Sequence, residues 1–159
     1  MFHPMTISVF FVTLIIISHV YSIEDSCGAG FNLYSGCSGT ITTSRDCKTS
    51  KLNLGNTTIT TCNPVGLFWS YPTDNLTLTI ETLFTKEHRA YKIVIDNKQL
   101  SGAISHVYRI INGKETEVTT TDEKLFQTSD TNYQVILKLQ GPPTIYYYGV
   151  FIDYQVIEI

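Results

Sequence analysis

The chain has 159 residues, 43% hydrophobic and 16% charged, which fits one domain with an ordinary core. A formal net charge of −3 with no basic run gives nucleic-acid binding almost no electrostatic footing. Aromatic residues make up 12%, mostly Tyr and Phe; with abundant Thr they favour pleated strands over helices.

Residues 1–22 read as an export signal. Ile7 to Ile17 is an apolar run broken only by Ser8 and Thr13, and Val20 and Ser22 supply the small side chains required before a signal-peptidase cut. The segment carries no Lys or Arg, so an uncleaved signal anchor is the competing reading. Its run is shorter than the roughly 20 apolar residues that span a bilayer, which favours cleavage. The expected product is a single secreted domain, residues 23–159, with no later stretch long and apolar enough for a membrane span.

All four cysteines, Cys27, Cys37, Cys47 and Cys62, fall in the first third of that domain. An even count in an exported chain points to two disulfides, and gaps of this size do not suit the close pairs of a zinc site. Three pairings are possible. Local closure costs less entropy, so a Cys37–Cys47 loop nested inside Cys27–Cys62 is the expectation. Asn56-Thr57-Thr58 and Asn75-Leu76-Thr77 are glycosylation sequons, each beside turn residues.

From Cys27 to Gly66 the chain is rich in Gly, Ser, Thr and Asn and poor in large apolar residues, so it needs its crosslinks for order. Gly39 to Thr43 is a candidate edge strand, Thr57 to Cys62 is β-prone, and Asn63-Pro64 marks a turn. The stretch from Leu67 to Phe84 holds the only Trp, Trp69, which reads as core. In it Leu76, Leu78, Ile80 and Phe84 alternate with Thr77, Thr79 and Glu81, the period of a half-buried strand. Tyr91 to Asp96 repeats the alternation. Asn112-Gly113 between two β-prone runs is a type I′ hairpin signal. The Thr- and Glu-rich run from Lys114 to Thr121 reads as a solvated edge that discourages association. Tyr133 to Gln140 is a further strand, ended by Gly141-Pro142-Pro143. The last runs from Tyr146 to Ile159, with Val150, Ile152, Tyr154 and Val156 on one face. No window of helical length shows a sustained period near 3.6. The sum is an all-β, antiparallel sandwich.

Cys27-Gly28, Cys37-Ser38-Gly39-Thr40-Ile41, Cys62 followed by Trp69, and Gly149-Val150-Phe151-Ile152-Asp153-Tyr154 come in an order that resembles secreted CUB domains. The similarity covers roughly Cys27 to Val156 and is nearest to the divergent single-domain CUB-like proteins abundant in nematodes. It implies a jelly-roll sandwich with an extracellular, defence-associated role. The family's second cysteine pair is missing, and Cys62 and Trp69 stand further apart than its Cys-x-Trp. Lys92 and Val94 occupy positions where calcium-binding members carry carboxylates. Asp96, Asp130 and Asp153 are scattered along the chain, so no metal or other cofactor is expected.

Catalytic constellations are thin. After signal removal His88 and His106 are the candidate imidazoles, the first in a charged turn and the second in a strand. Glu115 with Glu117, and Asp122 with Glu123, are paired carboxylates in wet surroundings that do not raise a pKa as glycosidic chemistry needs. Tyr146-Tyr147-Tyr148 is the candidate contact patch, since alternation turns at least one ring outward. The expected function is a secreted, disulfide-stabilised, N-glycosylated, non-catalytic module for an extracellular protein or glycan. The alternative is a structural component of an extracellular or viral surface.

Overall fold

The computed structural model describes residues 26–144 and 148–159. The expected signal peptide, residues 1–22, lies outside them. Twelve strands follow one another: β1 (Ser26–Gly28), β2 (Gly30–Ser35), β3 (Ser38–Thr42), β4 (Thr49–Asn53), β5 (Val65–Ser70) and β6 (Asn75–Ile80) form the first half. After the one-turn helix α1 (Leu83–Lys86) come β7 (Tyr91–Asp96), helix α2 (Asn97–Ala103), β8 (His106–Ile111), β9 (Lys114–Glu117), β10 (Lys124–Thr128), β11 (Val135–Gln140) and β12 (Gly149–Glu158). They build two six-stranded sheets. Sheet I has the order β1-β4-β6-β11-β8-β9 and sheet II the order β10-β7-β12-β5-β3-β2.

The inner faces of the sheets meet in one core, as the alternation requires. Leu76, Leu78 and Ile80 of β6 are fully buried, as are Leu67 and Trp69 of β5 and Ile152 of β12. The Trp69 indole donates to Thr43 Oγ1 at 3.4 Å. β6 stops sooner than its sequence pattern predicts. Thr82 accepts from Phe84 N at 3.1 Å and caps α1, so Phe84 reaches the core from a helical turn instead of a strand. At the β8–β9 hairpin Asn112 and Gly113 both have positive φ, 50° and 76°, which is the type I′ turn expected of Asn-Gly.

The all-β sandwich agrees with the sequence, but its sheets are mixed where antiparallel ones are expected. β1 and β4, β4 and β6, and β3 and β5 pair in parallel. The cause is the route of the lead segment. The chain alternates between sheets from β3 to β6, so it returns to each sheet through a crossover and runs in the same direction. β3 is also not an edge, because β2 lies outside it. Thr58–Thr61 is a 3₁₀ turn instead of a strand. Nor is the lead segment poor in core: Ile41, Leu52, Leu54 and Ile59 are buried in it.

The same route decides the disulfides, which are Cys27–Cys47 and Cys37–Cys62, interleaved instead of nested. β3 and β4 lie in different sheets, so Cys37 at the start of one and Cys47 before the other are carried apart despite their short loop. Each bond instead ties neighbours within a sheet. The first joins β1 to the approach of β4, and the second joins the β2–β3 turn to the approach of β5. Closing loops of 20 and 25 residues, either bond restricts the unfolded chain by about 3 kcal/mol in the loop-entropy picture.

Two side chains finish the backbone pairing where the ladders stop. The Asn63–Pro64 bond is cis, and Pro64 has no N–H to give to β12. Asn63 replaces the missing rung: its Nδ2 donates to Val156 O at 2.8 Å and its Oδ1 accepts from Val156 N at 3.0 Å. Arg109 of β8 is only 4% exposed. Its guanidinium donates to the carbonyls of Ile110 and Ile136 at 3.1 and 3.0 Å, and to those of Thr128 and Gln134 at 3.2 and 3.1 Å. Thr128 ends β10 in sheet II, so one side chain bridges the sheets where the chain crosses to β11. Burial lowers the Arg109 pKa, with Asp130 and Tyr91 acting against the shift.

Candidate functional site: the β5–β12 seam of sheet II

The two outer faces of the sandwich differ in chemistry. On sheet I the outward residues of β4, β6 and β11 include Thr49, Lys51, Thr77, Thr79 and Lys138 around Ile136, a mostly polar set without aromatic rings. On sheet II the outward positions of β10 and β12 hold Phe126, 55% exposed, with Phe151 and Ile157 also open to solvent. The aromatic residues concentrate where β12 pairs with β5.

Register sets that seam. Phe151 stands opposite Phe68, and their ring centroids are 5.0 Å apart at 54°. The Phe68 ring lies over Gly149, where a Cβ would overlap it, so the glycine lets the aromatic pair lie close to the sheet. One rung beyond the strand end, Tyr71 N donates to Tyr148 O at 2.9 Å, and the two tyrosine rings sit 6.0 Å apart. Tyr71 holds a φ of 48°, and Tyr148 is 82% exposed. Of the tyrosine patch read from the sequence, Tyr148 is thus an exposed ring at the seam's end, while Tyr146 and Tyr147 lie outside the described residues.

At the other end of the seam is a carboxylate pair. Tyr154 of β12 pairs with Ile95 of β7, which puts Asp153 beside Asp96 on the outer face. These two aspartates, scattered in sequence, are therefore brought together, while Asp130 stays apart, capping its own turn through Asn132 N and Gln134 N. Burial raises the Asp153 pKa, and the neighbouring Asp96 charge raises it further. Asp96 Oδ1 also caps α2 by accepting from Lys98 N at 3.0 Å. Around the pair is an open hollow of about 310 Å³, lined by Pro64, Val94, Lys124 and Gln155 as well as the two aspartates. From Tyr148 to Gln155 the seam extends roughly 23 Å at strand rise.

The other candidates from the sequence are surface pairs. His106 Nδ1 lies 2.6 Å from Glu117 Oε1, and this hydrogen bond, helped by Thr119, holds the Glu117 carboxyl below its usual range. Glu115 takes both its bonds at 3.0 Å from Lys138. Glu123 pairs with Lys98 at 2.9 Å, Asp122 N donates to Thr120, and the His88 ring stacks on Tyr133. Each carboxylate of the Glu115/Glu117 pair thus has its own basic partner in solvent. Among the described residues no group of three His, Cys, Asp or Glu is placed to hold a metal. No helix among them is long and apolar enough to cross a membrane.

Asn56 is exposed in the turn leaving β4. Asn75 starts β6, and its Nδ2 donates to Lys48 O at 3.2 Å. Asn56 follows a strand of sheet I, and Asn75 begins another at the end of the short connection that starts with Tyr71. Phe68, Phe151, Tyr71 and the Asp96/Asp153 pair are the features that sequence reasoning missed. Alternation in β12 places Phe151 and Asp153 on the outer face, but their partners come from β5 and β7, which only the sheet order identifies. The chain matches no protein-family model and no curated protein.

Proposed function

We propose that this is a secreted, non-catalytic binding module whose β5–β12 seam takes an extracellular glycan. The observation that carries the reading is the Phe68–Phe151 pair lying on an open sheet face beside the Asp96/Asp153 carboxylates. A pyranose ring has apolar C–H faces and a rim of hydroxyls. Exposed aromatic rings suit the faces, and carboxylates and the Gln155 amide suit vicinal hydroxyls. The two disulfides support an oxidising, extracellular setting. A defence-associated role follows from the CUB-like resemblance.

Two neighbouring carboxylates, one with a raised pKa, are also a pattern of glycoside hydrolysis. Here the pair lies on an open face with no enclosure to exclude water, and one partner is engaged as a helix cap, so we assign recognition and no turnover. The assembly alternative would place a partner on β9, whose Glu115 and Glu117 already hydrogen-bond with Lys138 and His106.

A glycan array probed with the glycosylated mature protein tests the proposal. Binding is expected, without release of reducing ends on long incubation. Phe151→Ala removes an exposed anchor worth about 2 kcal/mol, or roughly 30-fold in affinity. Failure to bind any glycan, or binding indifferent to Phe151→Ala, would refute it.

A further inference from the structure

Among the described residues, three of the four strand edges that close the two sheets carry a device against further pairing. β9 is exposed throughout and holds Lys114, Glu115 and Glu117. β10 begins at Lys124, directly after Asp122 and Glu123. β1 is three residues long and pinned by Cys27–Cys47. β2 carries no charge, and its one interruption, between Leu33 and Ser35, leaves Gly30 to Leu33 regular. It is six residues long and exposed at every position except Phe31, and residues 28–44 contain no charged residue and no proline. Such an edge is a template for another strand.

We propose that β2 is a self-association edge: two copies pair β2 antiparallel about a two-fold axis perpendicular to sheet II. The side chains select the register. Phe31 turns inward over Gly39, while Asn32 stands outward opposite Thr40. Keeping inward residues opposite inward residues across such an axis requires a residue, not a peptide link, at its centre. The irregularity between Leu33 and Ser35 confines the regular edge to Gly30 through Leu33. Centring on Asn32 sets Phe31 opposite the partner's Leu33 and covers a leucine that is 39% exposed in one copy. A second copy fits better than a foreign strand. Self-pairing meets no like charge, and a charged peptide would find no complementary side chain in 28–44.

The pairing would make one continuous sheet with both seams on the same side, about 29 Å apart at strand spacing. That consequence, bivalency toward a multivalent glycan, rests on the glycan reading; the pairing itself does not.

Sedimentation equilibrium of the mature protein over a concentration series tests the proposal. A concentration-dependent dimer is expected. Asn32→Lys, which sets two ammonium groups face to face, should return it to monomer, with a thermal midpoint equal to that of the wild type at dilutions where both are monomeric. Asn32→Cys should give a disulfide-linked dimer on oxidation, since directly opposed Cα atoms about 5 Å apart lie within bridging range. A wild-type protein that stays monomeric throughout the series overturns the proposal. So does a dimer that persists in Asn32→Lys.

Discussion

Arg109 offers the sharpest test of how the sandwich is closed. Replacing it with alanine withdraws the donors from four backbone carbonyls, those of Ile110, Thr128, Gln134 and Ile136, and empties the space of a side chain only 4% exposed. Leaving those carbonyls without their donor and opening a cavity costs about 3–5 kcal/mol. For a domain of this size that is a fall in Tm of about 10–15 °C. Urea unfolding followed by Trp69 fluorescence gives the free energy, with an unchanged slope showing that the unfolded surface is the same. Arg109→Lys should fall between alanine and wild type, because an ammonium cannot fork to four carbonyls at once. It should also add a pH dependence that the wild type lacks. Burial would depress the folded pKa of a lysine there below its unfolded value, penalising the charged form. The penalty is full at neutral pH and shrinks as pH rises towards the unfolded lysine pKa, so the variant should recover stability relative to wild type in alkaline buffer. A loss under 1 kcal/mol for Arg109→Ala, or no alkaline recovery for Arg109→Lys, would refute the bridging role.

Asp153→Asn should raise the thermal midpoint at neutral pH, because the raised carboxyl pKa means that the charged form is disfavoured in the folded protein. The gain should vanish as pH falls below the unfolded carboxylate pKa, where both states are protonated; a gain that persists in acid would contradict the assignment. Ser50 Oγ is buried with no hydrogen-bond partner among the described residues, so Ser50→Ala should stabilise by about 1 kcal/mol, a rise of roughly 3 °C in a calorimetric scan. A destabilised variant would mean that the hydroxyl has a partner. Non-reducing peptide mapping should recover Cys27 linked to Cys47 and Cys37 linked to Cys62. Peptides joining Cys37 to Cys47 would reverse the interleaved order.

What could be read from the sequence was what one strand can say by itself. β6 and β12 bury the residues their alternation nominates, and Asn112-Gly113 turns as its backbone preferences require. β2 and β4 were unreadable for a physical reason. β2 exposes nearly all its residues, and β4 sends Ser50 and Leu52 inward, so neither shows an apolar stripe. Arg109 defeats the same rule by taking a core position in β8 with a charge satisfied by carbonyls from distant segments. The disulfide order was misjudged because loop length governs closure in an unfolded chain, whereas here sheet membership decides which cysteines meet. The candidate site was legible only at its Tyr148 end. Asp96 and Asp153 become neighbours through the β7–β12 pairing, and Phe68 meets Phe151 through β5–β12, which are facts of sheet order.

The central claim is that sheet II carries the binding surface. Amide and aromatic NMR shifts followed during titration with the strongest glycan from an array test it residue by residue. The perturbations should cluster at Phe68, Tyr71, Tyr148, Phe151, Asp153 and Gln155 and leave Thr77, Thr79 and Lys138 of sheet I unmoved. Shifts centred on sheet I, or none at saturating glycan, would contradict the account.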